Sequence, residues 1–160
     1  MKNIRRTVLA VSFFLICTAL FSQNLHWVGG SGYWNDPNHW SLTPGGQGGI
    51  GTPDPDTQVI IDELSFDEED QIISIDGNCY LQSLQVNTDV NHIFSGQGDL
   101  YISKEISLAP SSQWTFTGVT TFVVDGLSEI ILNHVVFQGP VVFTGPGAPS
   151  LNSHLLIDEA

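Results

Sequence analysis

Phe94-Ser95-Gly96, Phe116-Thr117-Gly118 and Phe137-Gln138-Gly139 are three copies of a Phe-x-Gly unit, and they lie 22 and 21 residues apart. A period of about 20 to 30 residues is typical of solenoids, in which a unit too small to bury its own apolar face buries it against the next unit. We therefore predict that this part of the chain winds, with one coil for each unit.

Pairs of apolar residues recur around these units at the same period. One set follows the units directly: Leu100/Ile102, Phe122/Val124 and Val141/Phe143. A second set comes later in each coil: Leu84/Val86, Ile106/Leu108, Ile130/Leu132 and Leu155/Ile157. Together with the Phe-x-Gly segments, these pairs predict three short strands in each coil.

Stacking explains why such a chain would fold. Parallel strands lie about 4.8 Å apart, so equivalent side chains of successive coils land on one another. We expect the phenylalanines of the three units to form an aromatic ladder inside the stack. Their glycines are expected at a recurring corner with positive φ, because glycine adopts positive φ without a steric penalty.

Helix-forming residues are scarce after residue 23, where Ala occurs only at positions 109, 148 and 160, Lys once, and Arg and Met not at all. Val, Ile, Phe, Thr and Ser make up the ordered stretches, so an all-β chain is predicted. Parallel crossovers are nearly always right-handed, which favours a right-handed parallel β-helix (β-solenoid). The alternative is an antiparallel β-sandwich, because short strands separated by Gly turns are also typical of that fold.

Residues 1–22 have the composition of a secretory signal peptide. Lys2, Arg5 and Arg6 form a positively charged start, an apolar run covers 8–21, and polar residues follow. The run is shorter than the roughly 20 residues that a membrane-spanning helix needs. We predict a secreted protein, extracellular or on the outer cell surface, with no membrane insertion after leader removal.

Two regions follow the leader. Residues 23–58 are rich in Trp, Gly and Pro and are predicted to form an N-terminal cap, because Gly and Pro at this density indicate turns. Residues 59–160 are predicted to form the solenoid coils. The apolar segment Leu155-Leu156-Ile157 would leave an open coil at the end, so we expect further coils beyond residue 160.

The chain without its leader is strongly acidic. Lys104 is its one lysine or arginine against 17 carboxylates, a formal charge of −16. A surface of this sign excludes nucleic acids and anionic membranes as partners. Cys79 is the one cysteine after residue 22, so an internal disulfide is excluded as well.

Four aromatic residues of the cap region are candidates for a glycan site: Trp27, Tyr33, Trp34 and Trp40. Aromatic ring faces can cover pyranose rings, while the Asn and Asp residues between them could bind hydroxyl groups. The alternative is that the rings fill the first coil as a cap, which a solenoid requires at its end.

Four carboxylates on either side of the first predicted coil strand are candidates for a calcium site: Asp54, Asp56, Asp67 and Asp70. Carboxylate oxygens are ligands that Ca²⁺ prefers, although the Asp-x-Asp-x-Asp-Gly loop that would make the prediction specific is missing. The alternative is a set of solvated acidic turns. No cofactor other than calcium is expected.

The tryptophan-rich segment has a distinctive order of residues, Trp27-Val28-Gly29-Gly30-Ser31-Gly32-Tyr33-Trp34-Asn35-Asp36-Pro37-Asn38-His39-Trp40-Ser41, and Pro53-Asp54-Pro55-Asp56 then precedes Val59-Ile60-Ile61-Asp62. In this order, and in the later Phe-x-Gly coils, the chain resembles the N-terminal region of large secreted surface proteins of Gram-negative bacteria that use the type IX secretion route. The resemblance implies an exported, adhesin-like or gliding-associated protein with a solenoid stalk, and it brings no catalytic residues. Such proteins usually end in a sorting domain, which is not visible before Ala160.

These features predict an exported structural or adhesive cell-surface module, with extracellular glycans or other surface proteins as partners. A carbohydrate-binding module that uses the Trp-rich segment is the alternative.

A third hypothesis is a β-helix enzyme that acts on polysaccharides. A polyuronate lyase needs a base and cations, and Lys104 is the one cation available. A hydrolase needs two carboxylates facing one groove, for which the chain offers Asp99, Glu105, Asp125 and Glu129. The chain has too few coils for a long groove, so no enzymatic activity is expected.

Overall fold

The strands stack in parallel, coil upon coil. The computed structural model describes residues 22–123 and 129–146, together with the backbone at 150–151 and 156–157. Within these residues the chain is all-β and forms a β-solenoid of about four turns. The predicted parallel β-helix is confirmed and the antiparallel sandwich is wrong. The predicted leader lies outside the described residues, except for Ser22.

Short strands follow one another along the described chain. They are β1 (Asn24–Trp27), β2 (Gly32–Tyr33), β3 (Trp40–Ser41), β4 (Gln58–Asp62), β5 (Gln71–Ile75), β6 (Cys79–Asn87), β7 (His92–Gly96), β8 (Leu100–Ser107), β9 (Ser112–Trp114), β10 (Thr120–Val123), β11 (Glu129–Ile131), β12 (Val136–Phe137), β13 (Val141–Thr144), β14 (Ser150–Leu151) and β15 (Leu156–Ile157). A 3-10 turn at Pro37–His39 lies between β2 and β3.

The strands form three faces around one apolar interior. Face 1 consists of the first parts of β6 and β8, followed by β10 and β13. Face 2 consists of β1, β4, the later parts of β6 and β8, β11 and β14, with β3 antiparallel to β1 at its end. Face 3 consists of β2, β5, β7 and β9, and β12 pairs with β15 in a separate sheet. From β6 on, each coil supplies three strand segments, as predicted.

β6 and β8 each continue from face 1 to face 2 as one uninterrupted strand. Their register shifts between Leu81 and Ser83, so that two residues of β8 oppose Gln82. Such a bulge bends the strand. Gln82 and Lys104 therefore lie at the corner between face 1 and face 2.

The interior of face 2 follows the predicted register at first. Leu84, Ile106 and Ile130 lie in one row and are buried. The next residue in this row is Leu151, so the predicted continuation to the pair Leu155/Ile157 is wrong. β15 pairs with β12 instead, in a sheet separate from face 2.

The interior of face 1 is shifted by two residues from the prediction. Phe122 aligns with Ile102, and not with Leu100. Phe143 then follows Phe122 in register, and their rings stack at 5.3 Å. A shift of two keeps the same side chains inward, because strand side chains alternate between the two sides. Val124 lies outside the described residues.

The aromatic ladder has a different middle member from the one predicted. Phe94 packs on Trp114 with ring centroids 4.6 Å apart, and Trp114 packs on Phe137 at 5.0 Å. Phe116 is buried beside the ladder and meets Trp114 edge-on at 6.0 Å. The register of β7 on β9 places Trp114 above Phe94, and Phe116 comes after the end of β9.

The glycine corner also differs from the prediction. Among the three glycines of the Phe-x-Gly units, Gly96 alone has a positive φ, 124°. The glycines that stack coil on coil are Gly77, Gly98, Gly118 and Gly139. A Cβ on each of the last three would overlap the carbonyl oxygen of the glycine below it. These positions need glycine because two backbones approach closely, and not because of φ.

The first coil is filled by three tryptophans. Trp27, Trp34 and Trp40 are buried, and Trp40 meets the other two edge-on at 5.1 and 4.9 Å. The Trp27 Nε1–H donates to the carbonyl of Gly30, and the Trp40 Nε1–H donates to the carbonyl of Trp34, both at 2.7 Å. The rings thus fill the interior of the first described coil, and the N-terminal cap stays a prediction.

One histidine lies inside the stack. His92 is fully buried, stacks on Phe66 at 4.8 Å, and approaches the Val90 carbonyl through Nδ1 at 2.9 Å and the Ser112 hydroxyl through Nε2 at 3.1 Å. A carbonyl can only accept, so the neutral ring carries its proton on Nδ1. Burial lowers the pKa of His92, against a smaller opposing effect of the hydrogen bond to Val90.

Acidification is therefore expected to destabilise the fold. The unfolded chain takes up a proton at His92 near pH 6.5, whereas the folded chain does so only at lower pH. Stability is complete above about pH 6.5 and falls by up to about 1.4 kcal/mol per pH unit below it, until the folded-state pKa is reached. Urea unfolding at pH 7.5 and pH 5.5 measures this loss.

His92→Gln is expected to reduce the difference between the two pH values, because it removes the buried titrating group. His134→Asn is the matched control: His134 is exposed with a φ of 69°, a conformation that Asn tolerates. A wild-type stability that rises on acidification, or a His92→Gln variant with the full pH dependence, contradicts this account.

Candidate functional site

The predicted tryptophan platform is not on the surface. A sugar can stack only on an accessible ring face, and the rings of Trp27, Trp34 and Trp40 are buried in the first coil. Tyr33 is the one exposed member of the predicted set, with 61% of its surface accessible. The prediction of a stacking platform made by these four residues is therefore wrong, because the fold uses the tryptophans as core.

The predicted calcium ligands are not gathered into one site. Asp54 Oδ1 accepts hydrogen bonds from the Asp56 N–H at 3.0 Å and from the Thr57 hydroxyl at 2.7 Å. Asp67 Oδ1 accepts from Gln71 Nε2 at 2.7 Å, within its own loop. Asp70 follows in that loop with a φ of 58°. Within the described ranges, no three His, Cys, Asp or Glu side chains are grouped so that they could hold a metal ion. The carboxylates of Asp54 and Asp67 thus organise local turns.

A polar cleft of about 440 Å³ lies at the corner between face 1 and face 2, and we call it the corner cleft. Its walls come from four successive layers of the stack: Ser22 and Gln23, then Asp54, Asp56 and Gln58, then Gln82, and then Lys104. The bulge of β6 against β8 creates the corner, since it sends both strands from one face to the next.

Hydrogen bonds between layers hold the walls of the corner cleft. The Ser22 hydroxyl lies 2.8 Å from the Asp56 carbonyl and 3.1 Å from Gln82 Oε1. Gln58 Nε2 donates to the same Gln82 oxygen at 3.3 Å. Lys104 is exposed and forms no ion pair within the part of the chain that the structure describes. The cleft is therefore lined by amide, carboxylate and ammonium groups, on layers that hydrogen bonds hold together.

A column of two tyrosines stands beside the corner cleft. Tyr80 and Tyr101 pair in register on face 1, and their rings stack at 4.7 Å with an interplanar angle of 11°. Tyr80 is 42% exposed. Tyr80 lies two residues before Gln82 on β6, and both side chains are accessible while Leu81 between them is buried. We call this pair of tyrosines the tyrosine column.

Sequence reasoning missed both features. The tyrosines lie 21 residues apart, the period of the coil, and this spacing could have placed them on one another. The corner cleft has no comparable signal, because its walls come from residues up to 82 positions apart.

A second groove of about 450 Å³ lies near the glycine corner. It is lined by Asp76, Ser95, Gly96, Gln97, Thr115 and Thr117. The hydroxyls of Thr115 and Thr117 donate to the backbone carbonyls of the coil below, at 3.1 and 3.2 Å. These two hydroxyls brace the stack.

The carboxylates considered for hydrolysis occupy different places. Asp99 lies before β8 and accepts a hydrogen bond from the Val119 N–H at 3.2 Å. Glu105 and Glu129 are register partners on face 2. Asp125 lies outside the described residues. The structure thus brings two of the four together.

One acid–base pair joins the first two coils. His26 Nδ1 lies 2.8 Å from Asp62 Oδ2, which is hydrogen-bonding distance. A serine, Ser41, is the register partner of His26 on β3. Its side chain is buried, and its Oγ accepts a hydrogen bond from the Thr43 N–H at 3.2 Å and not from the His26–Asp62 pair. The contact between His26 and Asp62 therefore links β1 to β4.

Cys79 is a buried apolar residue of the stack. Burial raises the pKa of its thiol to about 12, so the thiol stays protonated at neutral pH. In the part of the chain that is described, no helix has the length and apolar composition to cross a membrane.

Comparison with known proteins gives no assignment, since no family model, no curated protein and no solved structure matches this chain.

Proposed function

We propose that this protein is an exported structural and adhesive module of the cell surface. The observation that carries the proposal is the continuity of the stack: inward rows such as Leu84, Ile106 and Ile130 run from coil to coil in register. Repeats that contact only their neighbours build elongated units with long outer faces, which suits a stalk that presents binding surfaces.

The composition of the predicted leader and the charge of the chain support the same function. A leader of this composition directs export. The surplus of carboxylates keeps such a module soluble outside the cell. The resemblance to surface proteins of the type IX route agrees with this location.

Export is tested by replacing Leu15 with Arg, which puts a charge into the apolar run of the leader and leaves the described fold untouched. The full chain, tagged at its C-terminus and expressed in a Gram-negative host, is expected outside the cytoplasm with a new N-terminus near residue 20 or 23. The Leu15→Arg variant is expected to stay in the cytoplasm at full length. Cell fractionation and mass spectrometry of the N-terminus measure both outcomes.

Adhesion is tested separately, by coating beads with the purified protein and counting beads retained on cells or extracellular matrix under flow. Beads coated with a serum albumin serve as the control. A wild-type chain that remains cytoplasmic with Met1 in place contradicts the export proposal, and retention equal to that of the control contradicts adhesion.

A further inference from the structure

We propose that a neutral polysaccharide binds across the corner cleft and the tyrosine column. This inference rests on the proposed adhesive function and names its ligand. The tryptophans are not involved, because they are buried in the first coil.

The groups of the corner cleft suit a ligand rich in hydroxyls. Gln58 Nε2, Gln82 Oε1 and Asp54 Oδ1 are used within the protein. The cleft is lined as well by the other amide atoms of the two glutamines, Asp54 Oδ2, the Asp56 carboxylate and the Lys104 ammonium group. Amides both donate and accept, carboxylates accept, and ammonium donates, so vicinal hydroxyls find partners of both kinds. A hydrogen bond from Gln58 Nε2 in the layer below holds the Gln82 side chain in place, which lowers the entropy cost of binding.

The tyrosine column supplies the apolar side of the same surface. Face 1 begins at β6 in the described chain, so Tyr80 has a cross-strand neighbour, Tyr101, on one side only. Its other ring face has no strand of face 1 against it, and the side chain is 42% exposed. An aromatic ring beside a polar cleft is the combination that binds the apolar and polar sides of a sugar at once.

The charge and the length of the corner cleft limit the kinds of glycan that can bind. Polyuronates and sulfated glycans would meet Asp54, Asp56 and the general excess of carboxylates, with Lys104 as the single opposing charge. The walls span four layers of the stack, roughly 14 Å at the usual strand spacing. A neutral chain of a few sugar units fits these limits.

Retention on insoluble cellulose, chitin and β-1,3-glucan, measured as depletion isotherms of the purified protein, tests the inference. We expect retention on at least one of these three and none on a polygalacturonate gel. The double variant Tyr80→Ala/Tyr101→Ala should weaken retention about tenfold or more. Retention should be the same at 50 and 500 mM NaCl, because the ligand is uncharged.

Tyr33→Ala is the matched control, since it removes an exposed tyrosine from face 3 and should leave retention within about twofold of wild type. Tyr80→Ser, which removes the more exposed ring alone, replaces the double variant if that variant loses its wild-type melting temperature. Absence of retention on all three glycans overturns the inference, as does equal loss with Tyr33→Ala. Salt-sensitive capture by polygalacturonate or by a cell-surface protein also overturns it. An exported, adhesive protein without glycan retention would leave the proposed function standing.

Discussion

Replacing Gly118 by Ala is expected to lower the free energy of unfolding by about 3 kcal/mol or more. A Cβ at this position would overlap the carbonyl oxygen of Gly98 and would lie 2.8 Å from the Phe116 ring. Neither neighbour can move freely, since Gly98 is backbone of the coil below and Phe116 is fully buried. Urea unfolding followed by circular dichroism measures the loss.

Gly77→Ala is the control for this prediction. Gly77 lies at the bottom of the same glycine stack, but its Cβ would meet only the side-chain amide of Asn35, at 3.0 Å. We expect a change below about 1 kcal/mol, because an exposed side chain can give way. Equal effects of the two substitutions would show that close backbone approach is not the reason for glycine at this corner.

Trp40→Ala is expected to cost about 3 to 5 kcal/mol, the usual range for removing a buried Trp side chain. The ring contacts both other tryptophans of the cap edge-on, and its Nε1–H satisfies the Trp34 carbonyl at 2.7 Å. The substitution leaves a cavity at the end of the stack and an unpaired carbonyl. Thermal and urea unfolding measure this effect.

Tyr33→Ala is the matched control within the same segment, because its ring is exposed, and we expect less than about 1 kcal/mol. Trp40→Phe should fall between the two, since it keeps an aromatic ring but loses the hydrogen bond. If Trp40→Ala unfolds at the wild-type urea concentration, the tryptophans are not the cap of this solenoid.

The period of the Phe-x-Gly units predicted the parallel coils, but not the contacts between them. The ladder Phe94, Trp114 and Phe137 departs from the period at its middle step, because strand register, and not motif spacing, decides which rings meet. Trp114 and Phe116 are both inward candidates at positions two apart, and the sequence does not distinguish them.

The candidate site was less accessible to prediction. Whether a side chain is exposed depends on the fold, and the tryptophans that the sequence suggested as a glycan platform are buried. Tyr80 and Tyr101 were detectable as a pair one coil apart. The corner cleft was not, since the bulge between Leu81 and Ser83 that forms the corner leaves no mark in the residue pattern.

For this protein the sequence by itself determined the all-β class, the parallel winding and the need for a cap, because apolar periodicity and residue propensity are local properties. Only the tertiary structure decided the Gly77-Gly98-Gly118-Gly139 corner, the burial of the tryptophans and the corner cleft. These features depend on the register of each strand on the strand of the next coil. A change of register by two residues keeps the same side chains inward but gives them different partners.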